Sequence, residues 1–242
     1  MKGNSKASIT VCTCANRQIM NRDEILSLVS ALRNAGQTVT IIPDLCKTAI
    51  SDAEQMAAIT NTTVIACYPR AVKSIFDSVG LYPNQVFDIR NNPSEQILEA
   101  MGVSGTGFRV PGSQHSKSEI RNPKSAPENR QSEPSQEAWY PVIDKERCTE
   151  CGKCHDFCLF GVYAVKDGVV KVTQPQNCKN NCPACARVCP SKAIIFPKYE
   201  KSPINGGLND EEKIDDEATK ILYNTSLKHK LEERRAKVAL LK

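Results

Sequence analysis

The spacing of apolar residues changes several times along the first hundred positions. Ile9-Thr10-Val11 is a short β-branched run, and 22–35 puts Ile25, Leu28, Val29 and Leu32 on one helical face. Gly36 ends that helix, and Thr38–Ile42 reads as a second strand closed by Pro43. Ser51-Asp52-Ala53-Glu54 has the form of a capping box that opens a second helix. A third strand at 62–66, a helix at 70–79 stopped by Gly80, a fourth strand at 86–89 and a last helix at 94–101 closed by Gly102 complete the stretch. Strands alternating with helices predict an α/β domain over 1–102, an open parallel sheet of flavodoxin- or Rossmann-like type.

Beyond residue 102 the pattern is lost. Residues 103–138 hold Gly, Ser, Pro, Asn, Gln and scattered charges with few large apolar side chains. Such a stretch buries too little to offset chain entropy and is expected to be a disordered linker. A second domain is predicted over 139–204, where cysteine loop, short helix and strand occur twice around a hairpin (162–165 and 169–172) turning at Lys166-Asp167-Gly168. The tail, 205–242, is highly charged and reads as helical. Ser226 would cap a helix with Leu227, Leu231, Val238 and Leu241 on one side, packed on the preceding domain or docking a partner.

At 242 residues the chain has room for two small domains. Its polar start, Met1 to Lys6, and the short apolar run after it do not form a signal peptide. Twelve cysteines without export suggest a reducing, cytoplasmic setting in which thiols bind metal. No run approaches the ~18 apolar residues of a membrane span, so no membrane insertion is expected. A net charge of +5 suits encounter with an acidic redox protein. One Trp and no Arg/Lys stripe interleaved with aromatics argue against nucleic acid.

The chemistry lies in two cysteine runs, Cys148-x2-Cys151-x2-Cys154-x3-Cys158 and Cys178-x3-Cys182-x2-Cys185-x3-Cys189-Pro190. A C-x2-C-x2-C loop wraps three iron corners of a cubane, and the fourth Cys, expected at the start of the following helix, reaches the other cubane. The pattern resembles a bacterial-type 2[4Fe–4S] ferredoxin of α+β fold. Cys148, Cys151, Cys154 and Cys189 are assigned to one cluster, and Cys178, Cys182, Cys185 and Cys158 to the second. Zinc ribbons use four ligands, not eight in two matching quartets. Leu159 stands where the family has Pro, and Lys179-Asn180-Asn181 makes a three-residue spacer where it has two. Both departures bear on cluster potential rather than ligation.

Cys12, Cys14, Cys46 and Cys67 fall at or just past the ends of the first three strands. In an open parallel sheet those ends share the edge where ligands bind. Four thiols from three loops would converge there as ligands of a third [4Fe–4S] cluster, with zinc as the rival occupant and buried apolar Cys as the plainest alternative. Val11-Cys12-Thr13-Cys14, the lone Cys46, the segment from Val64 through Cys67-Tyr68-Pro69-Arg70, then Gly80-Leu81 and Asp88-Ile89-Arg90, resemble the N-terminal domain of the heterodisulfide reductase A subunit over roughly 8–92. That resemblance implies an iron–sulfur cluster on these four cysteines. Ala15, Tyr68 and Asp88 depart from the family's Gly, Ser and Asn. The family's FAD domain has no counterpart: Gly102, Gly105 and Gly107 lack the GxGxxG spacing, so no FAD or NAD motif is present.

The expected function is low-potential electron transfer, as a carrier or an oxidoreductase subunit, with a flavoprotein or a heterodisulfide-reductase-like complex as partner. No residue is assigned to bond making or breaking; His155, beside Cys154, is a surface helix position that could couple a proton to reduction. Three other readings remain open: a thiol/disulfide reductase component acting at the N-terminal cluster, a redox-sensing regulator, and a zinc-binding N-domain tethered to an ordinary ferredoxin.

Overall fold

A computed structural model describes residues 8–15, 17, 19–103 and 138–207. The linker expected at 103–138 and the tail expected at 205–242, with its stripe of Leu227, Leu231, Val238 and Leu241, lie outside the described residues except at their edges.

Residues 8–103 form a four-stranded parallel sheet: β1 (Ser8–Cys12), β2 (Thr38–Ile42), β3 (Thr63–Ala66) and β4 (Gln85–Asp88), in the order β2-β1-β3-β4. The two inner strands are the apolar ones, Ile9, Val11, Val64, Ile65 and Ala66 being wholly buried, whereas the outer β2 is largely exposed. From β1 the chain turns to β2 on one side, then crosses to β3 on the other. The carboxyl ends of β1 and β3 therefore flank a topological switch point, the crevice where such sheets bind ligands.

Helix α1 (Arg22–Asn34) buries Ile25, Leu28, Val29 and Leu32, as its periodicity predicts, and Asn21 caps it by accepting from Asp23 N and Glu24 N. A helix that the sequence reading did not separate, α2 (Leu45–Ser51), follows β2 directly. The expected capping box is shifted: Asp52, not Ser51, caps α3 (Ala53–Thr60), accepting from Gln55 N at 2.8 Å. Ser51 instead ends α2 and donates to Lys47 O. A seven-residue helix shows fewer than two turns of periodicity, too little to mark it in the sequence. Helices α4 (Pro69–Ser78) and α5 (Ser94–Ala100) complete this half.

The second half pairs β5 (Val142–Ile143) with β8 (Ile194–Ile195) antiparallel, and β6 (Tyr163–Lys166) with β7 (Val169–Val172) as a hairpin. Lys166 pairs with Val169, so the turn is only Asp167-Gly168. Both turn residues have positive φ, +54° and +76°, as a primed two-residue turn requires. Short helices α6 (Lys153–Phe157) and α7 (Ala184–Arg187) carry the cysteine runs. Trp139 stacks on Phe196, centroids 5.3 Å apart, in a core with Val162, Tyr163 and Ile194.

The two halves share a seam built mainly on α4. Tyr140, Val142 and Ile195 join the apolar core of the sheet. Arg70 Nε donates to Asp144 Oδ2 at 2.5 Å, both side chains mostly buried, and Lys145 Nζ donates to Asp77 O at 3.0 Å. Residues 205–207, assigned to the tail from sequence, are part of this seam: Asn205 is wholly buried, and a Cβ on Gly206 would lie 2.7 Å from Ala71 Cβ. Gly206 also has φ +94°. Gly206→Ala is therefore expected to cost about 1–3 kcal/mol through overpacking and to speed hydrogen exchange in α4 and 203–207; unchanged exchange would show that the seam tolerates the methyl.

Candidate metal centres

In the first cysteine run, Asp144 turns the chain toward Cys148, its carbonyl accepting from Arg147 N and Cys148 N. Glu150 takes a positive φ, +52°, and its carboxylate accepts from Val170 N, tying the loop to the hairpin. Cys151 is exposed, Cys154 is buried within α6, and Cys158 is the C-cap of α6. The fourth cysteine thus ends its helix rather than starting one. In the second run Cys178 follows a single 3-10 turn, Pro175–Asn177, Cys185 lies in α7, and Cys189 accepts from Ala193 N at 3.3 Å.

The folded chain groups these thiols across the two runs. Burial is the largest cause of raised pKa at Cys148 and Cys154 (the latter pushed up to about 12), and the neighbouring Cys189 adds to it at both. Cys178 and Cys185 are each pushed up to about 12, by burial first, with Cys158 and Cys182 adding at both. A cavity of about 260 Å³ is lined by Cys158, Cys178, Cys182 and Cys185, with Leu159 and Tyr163 among its walls. That is the space of roughly nine waters at ~30 Å³ each, room suited to a compact cluster of eight heavy atoms. Tyr163, buried, donates its hydroxyl to Cys185 Sγ at 3.1 Å. Among the described residues the buried indole Nε1 of Trp139 has no hydrogen-bond partner in the same core, a donor suited to a sulfide acceptor.

At the switch point, Cys12 ends β1, Cys14 follows in the left-handed region (φ +46°), Cys46 lies in the first turn of α2, and Cys67 follows β3. All four are buried, between 5% and 8% exposed. Leu45 N donates to Cys12 Sγ at 3.3 Å. Burial pushes Cys14 up to about 12 and raises Cys12, Cys46 and Cys67 as well, and each thiol is near enough to another of the four, to Asp44 or to Asp88 to be raised further. Two cations act the other way: Lys198 on Cys12, Cys14 and Cys46, and Arg90 on Cys14 and Cys67.

Among the described residues, no three His, Cys, Asp or Glu side chains close around one point as a single metal ion requires. A larger hollow, about 630 Å³, lies on the α1–β2 flank between Thr13, Met20, Arg22, Leu26 and Ile41, and no cysteine lines it.

Sequence reasoning missed Lys198, Asp44, Tyr140 and Tyr163. Lys198, Tyr140 and Tyr163 have no local signal, because each acts on a cysteine segment distant in sequence, whereas Asp44, two residues before Cys46, is a local cap of a helix too short to show a period. Arg90 was legible only as part of the Asp88-Ile89-Arg90 motif. His155 lies on α6, half-exposed, its Nδ1 3.1 Å from Asp156 Oδ1.

No family model matches the chain. Over 58 residues it is 37% identical to an uncharacterized ferredoxin of Methanocaldococcus jannaschii, covering 74% of that protein and 23% of this chain. The chain belongs to the ferredoxins. A longer ferredoxin of the same organism is 49% identical over 67 residues, 27% of this chain. The PorD subunit of pyruvate synthase from Thermotoga maritima is 35% identical over 54 residues, 22% of this chain. The chain spans about half the length of each of these two, 45% and 54%. No helix among the described residues is long and apolar enough to cross a membrane.

Exposure orders the thiols of the metal-free chain, since an inert cysteine is a buried one. Cys151 is expected to react with iodoacetamide first, and Cys12, Cys14, Cys46 and Cys67 at least about tenfold more slowly. Peptide mass spectrometry after partial labelling reads this, and equal rates would show that the N-terminal four are open to solvent.

Proposed function

We propose that this ferredoxin carries three [4Fe–4S] clusters and relays low-potential electrons between redox proteins, as a subunit or docking carrier. The observation that carries the reading is the convergence of Cys12, Cys14, Cys46 and Cys67 at the switch point, beside a ferredoxin half in which Cys189 lies near Cys148 and Cys154, and Cys158 lines one cavity with Cys178, Cys182 and Cys185. When bound, such clusters supply one-electron chemistry at potentials set by charge, hydrogen bonds and burial. The chain's own residues do the rest. Cys148, Cys151, Cys154 and Cys189 would hold one cluster, and Cys178, Cys182, Cys185 and Cys158 the second. Exposed Cys151 leaves the first quartet an edge that a partner can approach, whereas Cys178 packs against both cores and puts the second quartet beside the N-terminal half.

The N-terminal site resembles that of the heterodisulfide reductase A subunit. Its burial favours an internal relay over a site where a thiol or disulfide substrate binds. That resemblance favours a cluster over zinc. A flavoprotein or a reductase complex is the partner class that fits; the relative from Thermotoga maritima is itself named as a subunit of an oxidoreductase. No residue is assigned a catalytic role.

Iron, zinc and acid-labile sulfide on anaerobically purified chain test the reading. About twelve irons per chain are expected, falling to about eight in Cys67→Ser with the ferredoxin spectrum retained. About eight irons in the unaltered chain, with zinc or nothing besides, would overturn the third cluster. Tyr163→Phe removes the donor to Cys185 and with it a hydrogen bond that favours the anionic, reduced state. Its cluster is expected to reduce at a potential lower by on the order of tens of millivolts in a spectroscopic redox titration, and an unmoved potential would show that the hydroxyl has no hold on that site.

A further inference from the structure

Lys198 belongs to the ferredoxin half, two residues past the core residue Phe196. Its ammonium crosses the seam into the N-terminal site. Nζ donates to Asp44 Oδ2 at 2.5 Å, and the two side chains are 2% and 4% exposed. Asp44 divides its carboxylate: Oδ1 accepts from Lys47 N and caps α2, in whose first turn Cys46 sits, while Oδ2 grips Lys198. Two further contacts hold the same stretch against the site. Arg90 Nη1 donates to Pro197 O at 3.3 Å, and Tyr140 donates its hydroxyl to Cys46 O at 2.7 Å.

A buried ion pair seldom contributes net stability over an apolar replacement of the same shape. This one joins the ferredoxin half to the carboxylate that caps the helix of Cys46, so what it specifies is the position of that cysteine. Lys198 and Arg90 are the two cations that act on these thiols, one from each half, and at Cys12 and Cys46 the carboxylate of Asp44 outweighs Lys198.

We propose that Lys198 is a positioning cation of the four-cysteine site, supplied by the ferredoxin half, so that holding the group at that site depends on the two halves being docked. The proposal rests on the cluster reading of the site. It makes the N-terminal centre a joint product of both halves: one gives the ligands, the other the cation that fixes Asp44 and with it the helix of Cys46. Loading the site would then strengthen the seam, and opening the seam would loosen the site.

Lys198→Met alone would strand Asp44 as a buried unpaired carboxylate, which is costly in itself. The informative variant is Asp44→Asn with Lys198→Met, which removes both charges and keeps a side chain able to cap α2. Iron and sulfide are counted on the full chain, and the ferredoxin irons serve as the control for folding. The potential of the N-terminal cluster is read from the electron paramagnetic resonance signal that Cys67→Ser abolishes.

The double variant is expected to lose the N-terminal irons alone, or to keep them with a potential moved by at least about 59 mV, a tenfold shift in a one-electron equilibrium. Lys198→Arg, which keeps the charge, is expected to hold more of the N-terminal iron than the double variant. A double variant with full iron and an unmoved potential would show that Lys198 serves Asp44 alone and would overturn the proposal. Unaltered chain with only about eight irons would instead sink the cluster reading beneath it, before any variant is compared.

Discussion

The carboxylate of Asp44 fastens the halves of this chain together. It stands two residues before Cys46, caps the helix that carries that cysteine, and takes the ammonium of Lys198 from 154 residues away. Asp144 mirrors it. It stands four residues before Cys148, its carbonyl turns the chain into the first cysteine run, and its side chain takes the guanidinium of Arg70 from the sheet half. Each half thus lends one cation and one carboxylate, and each carboxylate lies at the root of a cysteine-bearing segment. Charges buried in this way are expensive to leave unpaired, so the pairs allow few alternative dockings. What they specify is the relation between the cysteine segments.

That relation explains how far the sequence could be read. The helix and strand periods were plain in α1, α4 and the inner strands, because burial on one or both faces enforces them. Cysteine spacing marked the eight ferredoxin thiols as candidate ligands, since three of each four share one loop. The four N-terminal thiols needed the fold, yet alternation of elements alone placed them at strand ends, and the parallel order β2-β1-β3-β4 then sets Cys12 and Cys67 on adjacent inner strands. Local chemistry misled where two signals overlapped. Ser51 and Asp52 are both capping residues, and only the short preceding helix shows that Ser51 was already used as its last turn. Lys198, Tyr140 and Tyr163 were out of reach, because their partners lie 22 to 154 residues away and no period marks them.

The departures from the usual ferredoxin spacing acquire a physical reason in the seam. The three-residue spacer Lys179-Asn180-Asn181 ends on a residue with φ +61°, a conformation that Asn tolerates better than most side chains. Asn181 Oδ1 accepts from Arg17, three residues past Cys14, and the Arg17 guanidinium also lies 4.6 Å over the ring of Trp139. The longer spacer thus lets the second cysteine loop reach the loop of the N-terminal site. Leu159, in the place of proline, keeps its backbone donor and stands half-exposed at the cavity lined by Cys158, Cys178, Cys182 and Cys185.

A freely diffusing two-cluster carrier needs an exposed edge and little else. Here one quartet keeps such an edge at Cys151, while the second quartet and the N-terminal four are turned toward each other through Asn181, Arg17 and Trp139. Fixing rotamer-rich arginine and lysine side chains across an internal boundary costs conformational entropy, on the order of 1.5–2 kcal/mol for each one buried. A flexible tether would leave that cost out and still keep the halves near each other. The contacts instead hold loop against loop, at the points where the thiols are densest. That arrangement favours a function in which the N-terminal site and the ferredoxin half act on the same electrons, and it is a poor design for two independent modules that happen to share a chain.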